Sequence, residues 1–441
     1  MNRAAVAALL ALACGVRLAA QEPPKPQRDS TPADTALPVR TGPRLLPPGV
    51  ELGYRRTAFL GLDPFRHAIV PHWGFILAAG AGVENNTVNL QDIGALMLLG
   101  RHDSITAGSV IDALGLVPRG QGLQGLARGD GGIYLGTQWG GRVTLGFSAG
   151  GRGYGTFLVD DSAVALLRDG NGVQHSFSVG QTHGAALGTA EGGAHALIRF
   201  GAIRDEAGLR VILGFGARYL KPLYYARSAS AINSIGTIRL TGDSIAAALR
   251  LTTDQAVDAP KVKGSGLVGD FLVRFELPEP GIAFEAMLVN VGTLKLQQVE
   301  QRLATFNVST TSFKIVKDSL DKSKFRVQDT TAVTVQMPQQ MRFALNAWVV
   351  PMLQLDAAYT TGVTGDFAAP AMVEVGATLR LIRWLPLRAG IVSAGALGTG
   401  LTGGLAIESR VIYLHVDGAS LGGSFKQAKG ASGRFELGFF F

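Results

Sequence analysis

Arg434-Phe435-Glu436-Leu437-Gly438-Phe439-Phe440-Phe441 is the stretch that decides the fold. In an extended strand, successive side chains point to opposite faces. One face of this stretch therefore carries only the apolar side chains of Phe435, Leu437, Phe439 and Phe441. The other face carries the charged side chains of Arg434 and Glu436. The pattern predicts a strand that separates an apolar environment from a polar interior.

The same two-residue alternation recurs along the chain. It is clear in the segments 142–149, 210–219, 267–277, 342–347, 353–359 and 373–381. In each segment the charges are confined to one face, as expected for strands with one face in lipid and one in a polar lumen. The count of such segments predicts an all-β fold, a transmembrane antiparallel β-barrel of about 14–16 strands.

The composition agrees with a membrane barrel. The chain has 441 residues, of which 17% are charged and 59 are glycine, and its mean hydropathy is +0.23. A membrane-spanning helix needs a run of about 18 or more apolar residues, and no such run follows the amino-terminal segment. A spanning strand needs only about ten alternating residues. The apolar content therefore favours a lipid-facing β-barrel over a soluble β-sandwich.

The amino-terminal residues predict a cleaved signal peptide followed by a proline-rich linker. Residues 1–20 have a basic start, an apolar middle and a small-residue exit, the pattern of a cleaved signal peptide. The single cysteine, Cys14, lies inside it, so a lipid-anchored alternative stays open and the mature chain is expected to lack thiol chemistry. Residues 21–48 are rich in proline and predict a disordered linker. The barrel is expected to occupy residues 49–441.

Several segments depart from the strand period. Apolar residues at three- and four-residue spacings predict short helices at residues 89–116, inside the barrel or under its periplasmic mouth. They form a plug-like element whose candidate ligand-binding residues are Leu90, Ile93, Met97, Ile111 and Leu114. A second short helix is expected at 160–168, and residues 49–70 read as a plug or an edge. Residues 306–334 and 256–264 predict extended hairpins or external loops.

The polar faces of the strands define a candidate lumen lining. Its predicted members are Arg142, Arg210, Arg218, Asp270, Arg274, Glu276, Arg342, Asp356, Glu374, Arg380 and Glu408. They either pair with one another and fill the lumen, or line a polar conduit beside an apolar pocket.

No catalytic or cofactor pattern emerges. The seven histidines show no metal-ligand spacing. The glycine-rich run 150–155 lacks the following helix that a phosphate-binding loop requires. The net charge of +8 is not concentrated in a basic run, so nucleic acid is not an expected partner. We therefore expect no enzyme activity, no metal and no cofactor.

The terminal stretch resembles the closing strand of bacterial outer-membrane β-barrels. In these proteins a terminal phenylalanine is the usual signal for the barrel-assembly machinery. The resemblance implies that Phe435, Leu437, Phe439 and Phe441 form an assembly signal. It also implies an outer-membrane location in a Gram-negative bacterium, with both termini in the periplasm. Membrane lipid and lipopolysaccharide are then the expected surroundings.

A second resemblance concerns the hairpin 337–359. Met337-Pro338 opens one strand, and its partner strand ends at Asp356 and Tyr359. This hairpin and the segment 384–390 resemble those of the long-chain fatty-acid transporter family of outer-membrane barrels. The helix and Gly-Asn of residues 164–171 are similar to the DUF5723-type branch of that superfamily.

This second resemblance implies that the protein binds or passes a hydrophobic, fatty-acid-like molecule across the outer membrane. The transporter family carries Asn-Pro-Ala in its plug region, where this chain has Asp63-Pro64-Phe65. That difference favours the alternative function, a non-transporting structural or secretion-accessory barrel.

Overall fold

The fold is an all-β, antiparallel transmembrane barrel, as predicted. The computed structural model describes residues 64–65, 73–89, 117, 120, 122–139, 142–169, 176–178, 182–201, 208–228, 236–241, 244–256, 262–277, 281–310, 326–350, 352–364, 367–382, 384–395, 398–409, 411–423 and 427–441. Neighbouring strands pair in sequence order around a 14-stranded ring, and the ring is closed where β18 pairs with β1. The prediction of about 14–16 strands is confirmed.

The described residues contain 18 strands. They are β1 (Trp73–Asn85), β2 (Leu123–Trp139), β3 (Val143–Val159), β4 (Ser176–Ser178), β5 (His183–Gly201), β6 (Arg210–Ser228), β7 (Gly236–Thr241), β8 (Ser244–Ala256), β9 (Lys263–Leu277), β10 (Ile282–Thr310), β11 (Arg326–Gln336), β12 (Gln339–Val350), β13 (Leu353–Thr364), β14 (Met372–Ile382), β15 (Leu385–Ser393), β16 (Thr399–Glu408), β17 (Ile412–Leu421) and β18 (Gly430–Phe440). The ring excludes β4, β7, β8 and β11, which extend the wall beyond it.

The two ends of the barrel differ. The connections after β2, β9, β12, β14 and β16 are short and lie at one end, called here the short-turn end. The connections after β1, β3, β6 and β10 are long and lie at the other end, called here the long-loop end. The extended hairpin expected near 306–334 is formed by β10 and β11 at the long-loop end.

The seam between β1 and β18 shows how the sequence pattern becomes a closed wall. Backbone pairing runs from Gly74 opposite Phe440 to Glu84 opposite Gly430. On the outward face, the rings of Phe75 and Phe439 stack with centroids 5.1 Å apart. Cross-strand aromatic pairs of this kind stabilise a sheet. The predicted alternation of the carboxyl-terminal stretch is confirmed, since Arg434 and Glu436 are buried and Phe435 is exposed.

The outward face carries a belt of large apolar side chains, as a lipid-facing wall requires. Exposed members include Phe147, Phe215, Phe271, Leu401 and Val416. The chain has four tryptophans, and all of them lie near strand ends at the short-turn end. They are Trp73, Trp139, Trp348 and Trp384. Tryptophan is enriched where a membrane protein crosses the lipid–water interface.

A β-bulge in β10 inverts the pattern near the long-loop end. Asn290 has a φ of 62°, and the register with β9 shifts between Leu288 and Val291. Beyond the bulge, inward positions are apolar, such as the fully buried Leu294, while the outward Lys295 is exposed. An outer face that is polar belongs in water rather than in lipid. The bulge therefore marks where the wall leaves the hydrocarbon.

The described residues include one helix, α1 (Asp161–Asp169), close to the predicted 160–168. The backbone N–H of Ser162 donates to Oδ1 of Asp160 at 3.0 Å, which caps its first turn. Val164 of α1 packs against Val88 and Val117 at the long-loop end. No helix in this part of the chain is long and apolar enough to cross a bilayer.

Some predicted segments lie outside the described residues. These are the signal peptide 1–20, the proline-rich linker 21–48, and the helical segment 89–116 apart from Asn89. The candidate ligand-binding residues Leu90, Ile93, Met97, Ile111 and Leu114 lie outside them as well. These assignments stay predictions.

The pattern inversion at the bulge yields a test of membrane placement. Replacing Phe271, which is outward in β9, with Arg should lower the free energy of unfolding by about 2–4 kcal/mol, because the charge would enter hydrocarbon. Replacing Thr334, which is outward and exposed in β11, with Arg should change the free energy of unfolding by less than about 1 kcal/mol. Urea unfolding in lipid vesicles measures both. Equal losses at the two positions would contradict the proposed boundary.

Candidate functional site

The interior of the barrel is arranged in alternating layers along its axis. Successive inward positions on β9 show them: Val268 is in an apolar layer, Asp270 in a charged layer and Leu272 in a second apolar layer. Arg274 then enters a second charged layer. This order runs from the long-loop end to the short-turn end. The candidate site is this layered lumen.

The layer nearest the long-loop end is an apolar cluster. It consists of inward side chains of the wall strands, of Val262 and Met337 next to strand ends, and of Phe367 from the connection between β13 and β14. Its buried members are Tyr154, Leu187, Leu220, Tyr225, Ala256, Val262, Val268, Leu294, Leu296, Val299, Val335, Met337 and Phe367. The cluster depends on the β10 bulge, because the bulge turns Leu294 and Leu296 inward.

Below the apolar cluster lies a buried charge network, called here the central network. Arg218 of β6 forms two hydrogen bonds with Asp270 of β9, at 2.7 and 2.8 Å, and also pairs with Glu191 of β5. Nε of Arg152 lies 3.3 Å from Oε1 of Glu191. The network thus contains two arginines and two carboxylates, all buried. Such balanced pairing is what permits charges to be buried.

Asn290 connects the central network to the strand break at Pro338. Its side-chain oxygen accepts hydrogen bonds from Arg152 and Arg218. Its side-chain N–H donates to the carbonyl of Pro338 at 3.0 Å, and its backbone N–H donates to Asp270 at 3.0 Å. Asparagine tolerates the left-handed conformation better than most residues. The bulge residue therefore also positions the network.

A second apolar layer surrounds Phe65. This residue lies upstream of β1 but is fully buried inside the barrel. It packs with Leu197, Ile212, Leu272, Met287 and Val289. Its ring meets that of His195 edge-on, with centroids 5.8 Å apart. Phe65 therefore lies inside the lumen, while the rest of residues 49–70, expected to form a plug or an edge, lies outside the described residues apart from Pro64.

Further ion pairs line the rest of the lumen. Near the short-turn end, Arg274 pairs with Glu276 at 2.8 Å and with Glu285 at 3.4 Å, and Arg210 pairs with Glu276 at 3.1 Å. On strands β13 to β15, Arg388 pairs with Asp356 at 2.8 Å and with Glu374 at 2.7 Å.

The remaining ion pairs lie on the strands between β14 and β2. Arg380 pairs with Glu408 at 2.7 Å, and Glu408 lies 3.0 Å from His415. Arg434 of β18 reaches Asp130 of β2 at 3.0 Å. Ion pairs are therefore present around the whole described wall.

Glycines on neighbouring strands make room for these side chains. The guanidinium of Arg388 lies over Gly376, and an added Cβ there would overlap it. The ring of His195 lies over Gly216 in the same way. Nε2 of His195 is thereby held 3.5 Å from Oδ2 of Asp270.

The structure places most of the predicted lining residues on the inward face. Arg218, Asp270, Arg274, Arg342, Asp356 and Glu374 are buried there, and Arg210 and Arg380 are partly buried. Arg142 differs from the prediction, because it is exposed in the turn between β2 and β3. Its backbone carbonyl accepts a hydrogen bond from Arg199 there. The prediction extended the alternation of β3 to Arg142, although β3 begins one residue later, at Val143.

Several residues of the site escaped the sequence prediction. Arg152 lies in the glycine-rich run 150–155, and Glu191 lies in a strand of small residues, so neither shows a clear alternation. Asn290 and Arg388 were not predicted as lumen residues either. The signal that points to Arg388 is that it alternates with the apolar Leu387 and Ile391, which lie on the opposite, outward face of β15.

One small cavity lies between these side chains. A cavity of about 10 Å³ lies beside Pro64, Tyr134, Arg152 and Arg218, which is room for about one water molecule. Among the described residues, no group of three or more His, Cys, Asp or Glu is arranged to hold a metal ion.

Comparison with known proteins gives the following similarities. No protein-family model and no curated protein matches the sequence. The toluene transporter TbuX of Ralstonia pickettii has a TM-score of 0.46 and 13% identity, over 87% of this chain and 93% of that chain. A Pseudomonas aeruginosa FadL homologue has a TM-score of 0.41 and 12% identity, over 87% and 94%. The NalP translocator domain of Neisseria meningitidis has a TM-score of 0.33 and 12% identity, over 83% of this chain and 88% of that chain.

The central network predicts a large cost for removing one charge. Asp270→Ala should lower the free energy of unfolding by about 3–5 kcal/mol, because Arg218 would remain buried without its bidentate partner. Glu300→Ala removes a partner of Arg302 from a pair that is 45% and 37% exposed, so it should cost about 0–1 kcal/mol. Urea unfolding in vesicles compares the two variants. Similar costs would contradict a buried network.

The glycine positions predict a second difference. Gly216→Ala should destabilise the barrel by about 1–3 kcal/mol, because the new methyl group overlaps the ring of His195. Gly153→Ala is the control, since no atom lies within 4 Å of an added Cβ there. Thermal unfolding in detergent measures both. A neutral Gly216→Ala variant would show that the His195 ring is not held against this glycine.

Proposed function

We propose that this protein is an outer-membrane barrel that admits a hydrophobic small molecule at its long-loop end. The observation that carries the proposal is the apolar cluster inside the lumen beyond the β10 bulge. An apolar interior with a polar outside, at the end with long connections, offers an apolar solute an environment that water does not. The resemblance of hairpin 337–359 to fatty-acid transporters supports the same proposal, as does the likeness of residues 164–171 to the DUF5723-type branch of that superfamily.

The layers below the apolar cluster indicate a closed state. The central network and the Phe65 layer both lie between the cluster and the short-turn end. A hydrophobic molecule that continued along the axis would have to separate Arg218 from Asp270, which is costly in a buried site. Passage to the periplasm therefore requires that this part of the lumen rearranges. A fatty-acid-like cargo is the first choice to test, with a monoaromatic hydrocarbon as the second.

The alternative function is a structural or secretion-accessory barrel that transports nothing. The paired charges of the lumen favour it, because ion pairs are present around the described wall. Native mass spectrometry of the barrel extracted from outer membranes separates the two. A co-purifying fatty acid or similar lipid supports transport, whereas an empty barrel with a stoichiometric protein partner supports the alternative.

Uptake measurements test the proposal directly. In cells that express the barrel, Leu294→Gln should reduce accumulation of a labelled hydrophobic compound about tenfold, because an unpaired amide in the apolar cluster costs about 1–3 kcal/mol. Lys295→Gln is the matched control on the outward face of the same strand, and it should accumulate the compound as the wild type does. Heat-modifiable gel mobility verifies that both variants fold. Wild-type accumulation no higher than in cells without the barrel would refute the transport function.

A further inference from the structure

The connection between β13 and β14 places its own aromatic ring inside the lumen. The backbone N–H of Gly362 donates to the carbonyl of Ala369 at 3.1 Å, which closes the base of this loop. Phe367, between these two residues, is 1% exposed and belongs to the apolar cluster. A loop residue has therefore entered a layer that is otherwise built from inward wall side chains.

Two contacts hold Phe367 in this position. Its ring lies 5.9 Å from that of Tyr154, centroid to centroid. Its backbone carbonyl accepts a hydrogen bond from Nη2 of Arg128, which reaches it from β2. The guanidinium of Arg128 also lies over the Tyr154 ring, 5.8 Å from the centroid. The loop thus presents one apolar ring and one oxygen acceptor to matching groups of the wall.

We propose that the space filled by Phe367 is a ligand site for a ring-sized hydrophobic molecule that carries an oxygen acceptor. Phe367 is the chain's own occupant of the site, and the ligand takes its place when the loop moves out. This inference rests on the proposed function and names the class of molecule that the apolar cluster receives. The ring of the ligand replaces the benzyl group beside Tyr154, and its oxygen replaces the carbonyl at Arg128.

The lining determines which molecules fit. Leu187 and Leu294 of the same apolar cluster offer only apolar surface, so they favour an apolar body. Arg128 is a donor without acceptor capacity, so it favours a carbonyl or carboxylate and disfavours an amine. Glu84 and Arg152 also interact electrostatically with Arg128. A neutral carbonyl compound and an acid are therefore both needed as probes.

Binding measurements in nanodiscs test the site, with four probes of equal ring size. These are acetophenone, phenylacetate, ethylbenzene and phenethylamine. Phe367→Ala should bind acetophenone at least about tenfold more tightly than the wild type, since the competing ring is removed and the loop that carries the backbone carbonyl is held less firmly. Phe271→Ala is the matched control, because it removes a lipid-facing ring and corrects for partition into the lipid. It should bind as the wild type does.

The role of Arg128 is tested in the same variant. Phe367→Ala should prefer acetophenone to ethylbenzene, and adding Arg128→Met should abolish that preference while ethylbenzene still binds. Phe367→Leu, which keeps an apolar side chain of similar volume, serves if Phe367→Ala does not fold, and it should show a smaller gain. No gain over Phe271→Ala in either variant would overturn the site. Equal affinity for phenethylamine and acetophenone would overturn the acceptor requirement.

The outcome is separable from that of the proposed function. If the Phe367→Ala barrel binds acetophenone but the wild type accumulates nothing in cells, the ligand site is supported and the transport function is rejected. A wild type that accumulates hydrophobic compounds, together with a Phe367→Ala barrel without added affinity, would leave transport and reject the site.

Discussion

Closure of the sheet is the constraint on which the rest of this structure depends. Hydrocarbon offers no water to unpaired backbone groups, so a sheet that crosses a bilayer must leave no open edge. Here β18 supplies the partner for β1 along their whole shared length. The ion pair between Arg434 and Asp130 adds a side-chain contact over the strand between them, and Gly80 leaves room for it. Closure in turn encloses a narrow interior that side chains must fill.

Filling that interior explains both the charges and the glycines of the sequence. Charged side chains face a narrow lumen and need partners, because an isolated buried charge is costly. Each long side chain also needs space, and a glycine on the next strand provides it for Arg388 and for His195. At these two positions glycine is required by the packing of a long polar side chain against the neighbouring strand. Polar and apolar layers then alternate because successive inward positions of one strand, such as Asp270 and Leu272, belong to different layers.

The alternation of single strands was enough to predict the barrel and the inward faces of β6, β9 and β14. It was not enough to predict the partners, since the pairing of Arg218 with Glu191 and Asp270 depends on register and on strands of small residues. Parity also fails where the backbone bulges, and nothing around Asn290 in the sequence shows that the inward face changes there. The position of Phe367 in the lumen could not be predicted, because a loop side chain has no period to follow.

The location of every tryptophan at the short-turn end has a consequence for spectroscopy. Indole emission from this protein arises from one end of the barrel, because Trp73, Trp139, Trp348 and Trp384 all lie near strand ends on that side. A water-soluble quencher added outside sealed vesicles therefore reaches these fluorophores in only one of the two insertion directions. The native chain, without any label, reports the sidedness of its own reconstitution.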